Sequence, residues 1–163
     1  MIHLFIVLFS ICLPFFTVAG PNELHAHIMQ EARSQRIIAL SELCVAAPRL
    51  GVGNDPFALM QQIIAIKDAV IVIKFSADNR CGSCKYFAGI FLKAVQAIRS
   101  LKVKGKDQPI IYVYVDVEPF MEVMKKLSVS AIPSVLVYYN GDLVSFNNNP
   151  ISAFEHYLTT LSL

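Results

Sequence analysis

Apolar residues occur along this chain in two patterns, continuous runs and a spacing of three and four, and the order of these patterns predicts the order of strands and helices. Three runs are almost wholly apolar and rich in β-branched or aromatic side chains: residues 70–75, interrupted only by Lys74, and residues 110–115 and 135–139. Such runs are typical of strands buried on both faces, as in a parallel or mixed sheet. Around them, apolar residues spaced three and four apart predict helices over about 55–67, from the cysteines at 81 and 84 to residue 98, and over 118–127 and 151–161.

Turn signals separate these elements and indicate how they connect. Asp55 followed by Pro56 is typical of a helix start, because aspartate caps free N–H groups and proline suits the first helical position. Asn140-Gly141 predicts a tight hairpin between the third strand and a fourth over residues 143–146. Residues 102–109, with three lysines, are expected to form a solvated loop. With right-handed crossovers, these elements form an α/β fold, a small mixed sheet with helices on both faces.

The first third of the chain has a different pattern. Residues 2–16 are almost wholly apolar, and small residues at 17–19 follow where a signal peptidase cuts. Residues 1–19 are therefore expected to be a signal peptide, cleaved after Ala19, which places the protein outside the cytoplasm, periplasmic or secreted. Because no Lys or Arg precedes the apolar run, an uncleaved membrane anchor is the alternative. Residues 20–54 are expected to be a mostly helical extension, whose later part could be a strand, and residues 55–163 the main domain.

Charge and cysteine content exclude several classes of protein. The formal net charge is only +2 and there is no dense basic tract, which argues against a nucleic-acid partner. Contact with a membrane is expected only if residues 2–16 are retained. After cleavage three cysteines remain, which is too few for a disulfide-stapled scaffold. Of these, Cys44 is interpreted as a small buried apolar residue.

The Cys81-Gly82-Ser83-Cys84 sequence is the strongest chemical signal in the chain. Two cysteines with two residues between them, at a strand-to-helix junction, have the arrangement that thiol–disulfide exchange needs. At a helix start, free N–H groups and the helix dipole favour the Cys81 thiolate, and Arg80 and Lys85 add positive charge. A structural disulfide and half of a zinc site are the alternatives. No second cysteine pair completes a zinc site, so no metal is expected.

Further motifs lie in a fixed order around this pair. Lys74-Phe75-Ser76-Ala77 precedes it, Val115-Asp116-Val117 ends the next strand, and Val129-Ser130-Ala131-Ile132-Pro133-Ser134-Val135 precedes Asn140-Gly141. Together they resemble the thioredoxin-like superfamily over roughly residues 55–161, about two-thirds of the chain. The resemblance implies a three-layer fold, a mixed central sheet flanked by helices.

The resemblance also implies roles for individual residues. Cys81 and Cys84 would be the redox pair, and the Ile132–Pro133 bond would be cis, close to Cys81, in a loop whose backbone binds substrate. Three departures from the family pattern would tune the site. Arg80 replaces the usual tryptophan, Ser83 replaces a common proline, and Lys74 stands where many thioredoxins bury a carboxylate.

These features predict a thiol–disulfide oxidoreductase that exchanges disulfides with protein substrates through Cys81, Gly82, Ser83 and Cys84. Its partners would be protein thiols or disulfides and a redox-recycling protein that the sequence does not identify. No organic cofactor is expected. The lack of a large inserted helical lid favours a reductase, although the direction stays open. The alternative is a non-catalytic peptide-binding module in which the cysteines form a structural disulfide.

Overall fold

The computed structural model describes residues 21–148 and 153–161 as a sheet between two layers of helices. The helices are α1 (Pro21–Arg33), α2 (Leu40–Ala46), α3 (Pro56–Ile64), α4 (Gly82–Ala97), α5 (Met121–Lys126) and α6 (Phe154–Thr159), with a short 3₁₀ helix over Ala47–Leu50. The strands are β1 (Ile38–Ala39), β2 (Val70–Ser76), β3 (Ser100–Val103), β4 (Lys106–Asp116), β5 (Ser134–Tyr139) and β6 (Asp142–Asn147). None of the described helices is long and apolar enough to cross a membrane.

The sheet is mixed, as the apolar runs predict. Its strand order is β1-β4-β2-β5-β6, and β3 pairs with β4 outside this path. Strands β2 and β4 are parallel, with Val70 opposite Ile110 and Ser76 opposite Asp116, while β5 runs antiparallel to β2. We call the end of the sheet at Ser76 and Asp116 the carboxyl edge, and the end at Val70 and Ile110 the amino edge. Parallel strands place the segments that follow β2 and β4 together at the carboxyl edge.

Two apolar cores lie on opposite faces of the sheet. The first contains Ile71, Ile73 and Phe75 of β2 with residues of α1, α2, α3 and α5, and the second contains Val70 and Val72 with residues of α4 and α6. All seven residues of β2 are buried, as expected of a central strand covered on both faces. The α/β three-layer architecture predicted from the sequence is confirmed.

The segment before residue 55 contributes to the sheet as well as to the helices. Ile38 and Ala39 form β1, which pairs in parallel with Val113 and Tyr114 of β4. Core side chains from this segment are Leu24, Ile28, Ile38, Leu40, Leu43 and Ala47. The helical prediction is thus correct for most of the segment, and the strand considered for its later part is present but only two residues long.

The prediction of a loop over residues 102–109 is wrong. Residues 100–103 and 106–109 pair as an antiparallel hairpin, the β3–β4 hairpin. Lys104 and Gly105 both have positive φ (49° and 81°), the conformation of a tight two-residue turn that suits twisted strands. Leu101 and Val103 are buried on one face of β3 and alternate with the exposed Ser100 and Lys102, but two apolar residues are too short a pattern to predict a strand.

The local turn predictions agree with the structure. Asp55 caps α3 by accepting from the Ala58 N–H at 2.6 Å, with Pro56 at the first helical position. Asn140 and Gly141 have positive φ and join β5 to β6. Helix α5 begins at Met121 rather than residue 118, because the Asp116 carboxylate accepts from the Glu118 N–H at 3.3 Å in a turn before it. The predicted signal peptide, residues 1–19, lies outside the described residues.

Candidate active site

Cys81 and Cys84 form a disulfide at the carboxyl edge of the sheet. Their Cα atoms are 5.1 Å apart, within the range usual for disulfides. Cys81 is the N-cap residue of α4, and its Sγ accepts from the Cys84 N–H at 3.1 Å. Cys84, one helical turn further on, is fully buried, whereas Cys81 is partly exposed. An outside thiol or disulfide can therefore approach the sulfur of Cys81 but not that of Cys84.

The helix start places polar groups around the Cys81 sulfur. The Ser83 hydroxyl lies 3.2 Å from it, and the N–H that Cys84 donates to it belongs to the first turn of α4. Gly82, the first residue of the helix, is exposed and a Cβ there would contact nothing. Since N–H and O–H donors stabilise an anion, this environment favours a thiolate at Cys81 over one at Cys84.

The two basic residues predicted to flank the pair are both on the surface. Arg80 Nε lies 3.0 Å from Glu118 Oε1, which joins the cysteine loop to the segment after β4. The Arg80 side chain is 78% exposed, so this ion pair is weak, and Lys85 is likewise exposed. Glu118 was not among the predicted site residues, because nothing in the local sequence links it to Arg80 across 38 positions.

Lys74 is buried within the sheet and is paired with Asp78. Its side chain is 3% exposed and its Nζ lies 3.0 and 2.9 Å from the two carboxylate oxygens of Asp78. The Ser76 hydroxyl donates to the same carboxylate. The position that carries a carboxylate in many thioredoxins therefore carries a cation here, and the carboxylate comes from the loop four residues later. A Lys and an Asp four residues apart were the only sequence signal of this pair.

Aromatic rings surround the Lys74 ammonium. Its Nζ lies 5.9, 5.6 and 5.2 Å from the ring centres of Phe87, Phe91 and Tyr114, distances at which a cation is attracted to a ring face. Burial lowers the pKa of Lys74, and Asp78 opposes that shift. The pKa of Tyr114 is raised to about 12, first by burial and then by the charges of Asp78 and Asp116. Lys74, Asp78 and Tyr114 also line a cavity of about 310 Å³ beside α4.

The loop containing Pro133 reaches the same edge. The Ile132–Pro133 peptide bond is cis. Ser134, the next residue, pairs with Phe75 of β2, just before the cysteine loop begins. The Ser134 hydroxyl donates to the Ala131 carbonyl at 2.6 Å and holds the loop in place. The pairing of β5 with β2 thus places the Pro133 loop at the edge of the sheet where β2 leads into the cysteine loop.

Cys44 lies apart from this constellation. It is partly buried against the first core, and burial, with the nearby charge of Asp55, raises the pKa of its thiol. The sequence interpretation of Cys44 as a buried residue is therefore only partly correct, since its side chain keeps some exposure to solvent. Among residues 21–148 and 153–161, no three His, Cys, Asp or Glu side chains converge as a metal site requires.

A mixed sheet with a two-cysteine disulfide at the start of a helix, next to a cis-proline loop, defines a class of redox protein. A family model described as Thioredoxin matches residues 57–158. Because this match covers more than half of the chain, the protein belongs to the thioredoxin family, whose members act on protein thiols and disulfides.

Solved structures of thioredoxins from several organisms share the fold. Thioredoxin from Fasciola hepatica has a TM-score of 0.53 and 23% identity, with 63% of this chain and 90% of that one covered. Thioredoxin from Trypanosoma brucei brucei has a TM-score of 0.52 and 18% identity, with coverages of 62% and 80%. At these identities the likeness concerns the fold. A search of curated proteins finds no match to this chain.

Proposed function

We propose that the protein is a thiol–disulfide oxidoreductase that exchanges disulfides with protein substrates through Cys81 and Cys84. The observation that carries this proposal is the difference in accessibility within the pair. Cys81 is partly exposed and lies at a helix start, while Cys84 is buried one turn away and bonded to it. A disulfide with a purely structural role gains nothing from an exposed, anion-stabilising sulfur.

The exchange follows from this geometry. In the reduced protein the Cys81 thiolate attacks one sulfur of a substrate disulfide and expels the other substrate sulfur as a thiolate, giving a mixed disulfide. The Cys84 thiol then loses its proton and attacks the Cys81 sulfur, so that the Cys81–Cys84 disulfide forms and the second substrate sulfur leaves. The substrate gains two electrons and the protein loses two. The reverse sequence inserts a disulfide into a dithiol substrate.

The surrounding residues have distinct parts in this scheme. The Ser83 hydroxyl and the Cys84 N–H stabilise Cys81 as thiolate and as leaving group. Ala131 is exposed and Ile132 is partly exposed, so the loop before Pro133 offers a place for an extended substrate segment at the edge that holds Cys81. Lys85 adds positive charge at the rim, whereas Glu118 offsets the charge of Arg80, so any preference for acidic substrate segments comes from Lys85.

We propose that the protein reduces the disulfides of its substrates, because no large lid covers the Cys81–Cys84 pair among the described residues. A separate redox protein would then supply the electrons. The apolar residues 2–16 support a location outside the cytoplasm, in a periplasmic or secreted setting, either after cleavage or as an anchored domain.

The test is an insulin-reduction assay with dithiothreitol as the electron donor. We expect the wild-type protein to accelerate insulin precipitation and Cys81→Ser to lose this activity. Cys44→Ser, which removes a thiol outside the site, is the matched control and keeps it. Equal rates for wild type and Cys81→Ser would overturn the proposal and leave the protein as a peptide-binding module with a structural disulfide.

A further inference from the structure

The β3–β4 hairpin concentrates basic side chains at the amino edge of the sheet. Arg99, Lys102, Lys104 and Lys106, which we call the basic hairpin patch, are all exposed. Leu101 and Val103 of the same hairpin are buried in the second core, on the face of β3 opposite to Lys102. These buried residues hold the hairpin backbone against the domain, so the patch has a fixed place at the amino edge.

Little of this charge is neutralised within the protein. Lys102 lies 3.5 Å from Asp107, but both side chains are more than 60% exposed, which makes the ion pair weak. Within the described part of the chain, Arg99, Lys104 and Lys106 form no ion pair. The patch is therefore free to attract an external anionic partner.

The described chain begins at this same edge. Asn22 and His25 of α1 line a cavity of about 320 Å³ with residues 65–67, the segment that leads into β2. Lys67 donates to the Asn140 carbonyl in the turn between β5 and β6 at 2.5 Å, so this segment lies at the amino edge. The first described residues, at the start of α1, thus lie at the edge that carries the basic hairpin patch.

Two further features distinguish the two edges. Leu143 and Val144, at the start of β6 and beside the same turn, are 52% and 36% exposed. The amino edge carries Lys67 and the four cations of the basic hairpin patch, with Asp68, Asp107 and Asp142 as its exposed carboxylates. The carboxyl edge carries Asp116, Glu118 and Glu122 near its cations and holds the disulfide.

We propose that the amino edge of the sheet faces an anionic lipid surface when residues 2–16 are held in a bilayer, with the basic hairpin patch against the lipid head groups. An apolar segment and a basic patch are the two signals that together hold a protein stably at a membrane. The seven residues of β2 separate the two edges by about 20 Å, at about 3.3 Å per residue. The Cys81–Cys84 pair then faces away from the bilayer, toward protein substrates.

The absence of tryptophan from the chain allows a direct test. Two single-tryptophan reporters of the full chain, Ser100→Trp on the hairpin and Met121→Trp near the carboxyl edge, are reconstituted in phosphatidylcholine vesicles. The vesicles contain a lipid with a nitroxide on its head group and either no anionic lipid or about 30% phosphatidylglycerol. We expect the anionic lipid to increase quenching at Ser100→Trp about twofold or more and to leave Met121→Trp unchanged, and salt of about 0.5 M to reverse the increase.

Charge-matched variants identify the residues responsible. Replacing Lys102, Lys104 and Lys106 with Gln in the Ser100→Trp reporter should remove the increase, whereas Gln at Lys93, Lys125 and Lys126 removes the same charge elsewhere and should not. Equal quenching of the two reporters, or an increase that survives loss of the hairpin lysines, would overturn the proposal. The proposal would also be overturned if the fluorescence of the Ser100→Trp reporter changed with soluble polyglutamate but not with anionic vesicles. The patch would then fit an acidic protein.

Discussion

At the scale of single residues, Lys74 is the least expected feature of the site. Its neighbours along β2, Ile73 and Phe75, are fully buried and apolar, so the ammonium enters the protein interior at a cost in hydration. Asp78 offsets that cost with two short charge-assisted hydrogen bonds, and three aromatic rings complete the surroundings. Because Asp78 is 31% exposed and Lys74 only 3%, the two partners do not depend on each other equally.

This asymmetry predicts the order of two substitutions. Asp78→Asn should destabilise the protein more than Lys74→Met, because it leaves a buried cation without its partner, whereas Asp78 left alone can be hydrated. The two changes together should cost less than the sum of the single changes, with a coupling of about 1–3 kcal/mol. Urea denaturation of the oxidised wild type, both single variants and the double variant measures the cycle. Additive effects would contradict the pairing.

Ser83 has a smaller and more local effect. Ser83→Ala removes the hydroxyl that lies 3.2 Å from the Cys81 sulfur but leaves the start of α4 in place. We expect the reduced variant to react with iodoacetamide at neutral pH about two- to fivefold more slowly at Cys81, since a hydrogen bond to the thiolate favours that form. Mass spectrometry of the alkylated peptide gives the rate. Ser130→Ala, an exposed serine whose hydroxyl makes no described contact with the pair, should react like the wild type.

At the scale of elements, the order of strands and helices around the site could be predicted from sequence, and the β3–β4 hairpin could not. The apolar runs of β2, β4 and β5 are long and β-branched, which separates them clearly from helices. In β3 only Leu101 and Val103 are buried, and two apolar residues are too few to indicate a strand. The positive φ of Lys104 is also unusual for a residue without turn preference, so Lys104-Gly105 is a weaker signal than Asn140-Gly141.

Two glycines provide a matched test of this element. Gly105 has a φ of +81° and Gly89 lies within α4, and a Cβ at either position would contact nothing within 4 Å. Gly105→Ala should destabilise the protein by about 1 kcal/mol, because an L-residue is strained at positive φ. Gly89→Ala should stabilise it by about 0.5–1 kcal/mol, because alanine favours a helix. Thermal unfolding would show shifts of opposite sign, and a shared direction would contradict the hairpin turn.

At the scale of the whole molecule, the segment before residue 55 is part of the main fold. Leu24, Ile28, Leu40 and Leu43 are each 2% exposed or less in the first core, and Ile38 extends the sheet through β1. The sequence predicted their helices but not their burial, because amphipathic spacing shows which face is apolar and not what covers it. The pairing of β1 with β4 joins residues 75 positions apart, which no local pattern encodes.

Truncation tests this dependence. A fragment of residues 55–163 should lose cooperative unfolding, because burial of an aliphatic side chain contributes about 1.5–3 kcal/mol and the five lost together approach the stability of a whole domain. A fragment of residues 21–163, which keeps every described core residue, is the reference and should unfold in one transition. Circular dichroism during urea titration compares the two. A cooperative transition of similar midpoint in the shorter fragment would show that residues 20–54 are a dispensable extension.

The pairing order of the sheet also has a consequence during synthesis. The central strand, β2, is bonded on one side to β4 and on the other to β5, and β1 is bonded to β4, so every partner of the early strands comes later in the chain. While a ribosome makes the protein from its amino terminus, residues 38–39 and 70–76 have no strand to pair with until residue 116 has emerged. The apolar strands β1 and β2 therefore stay unpaired until then, and unpaired apolar strands are prone to aggregation, the hazard against which chaperones act in the cell.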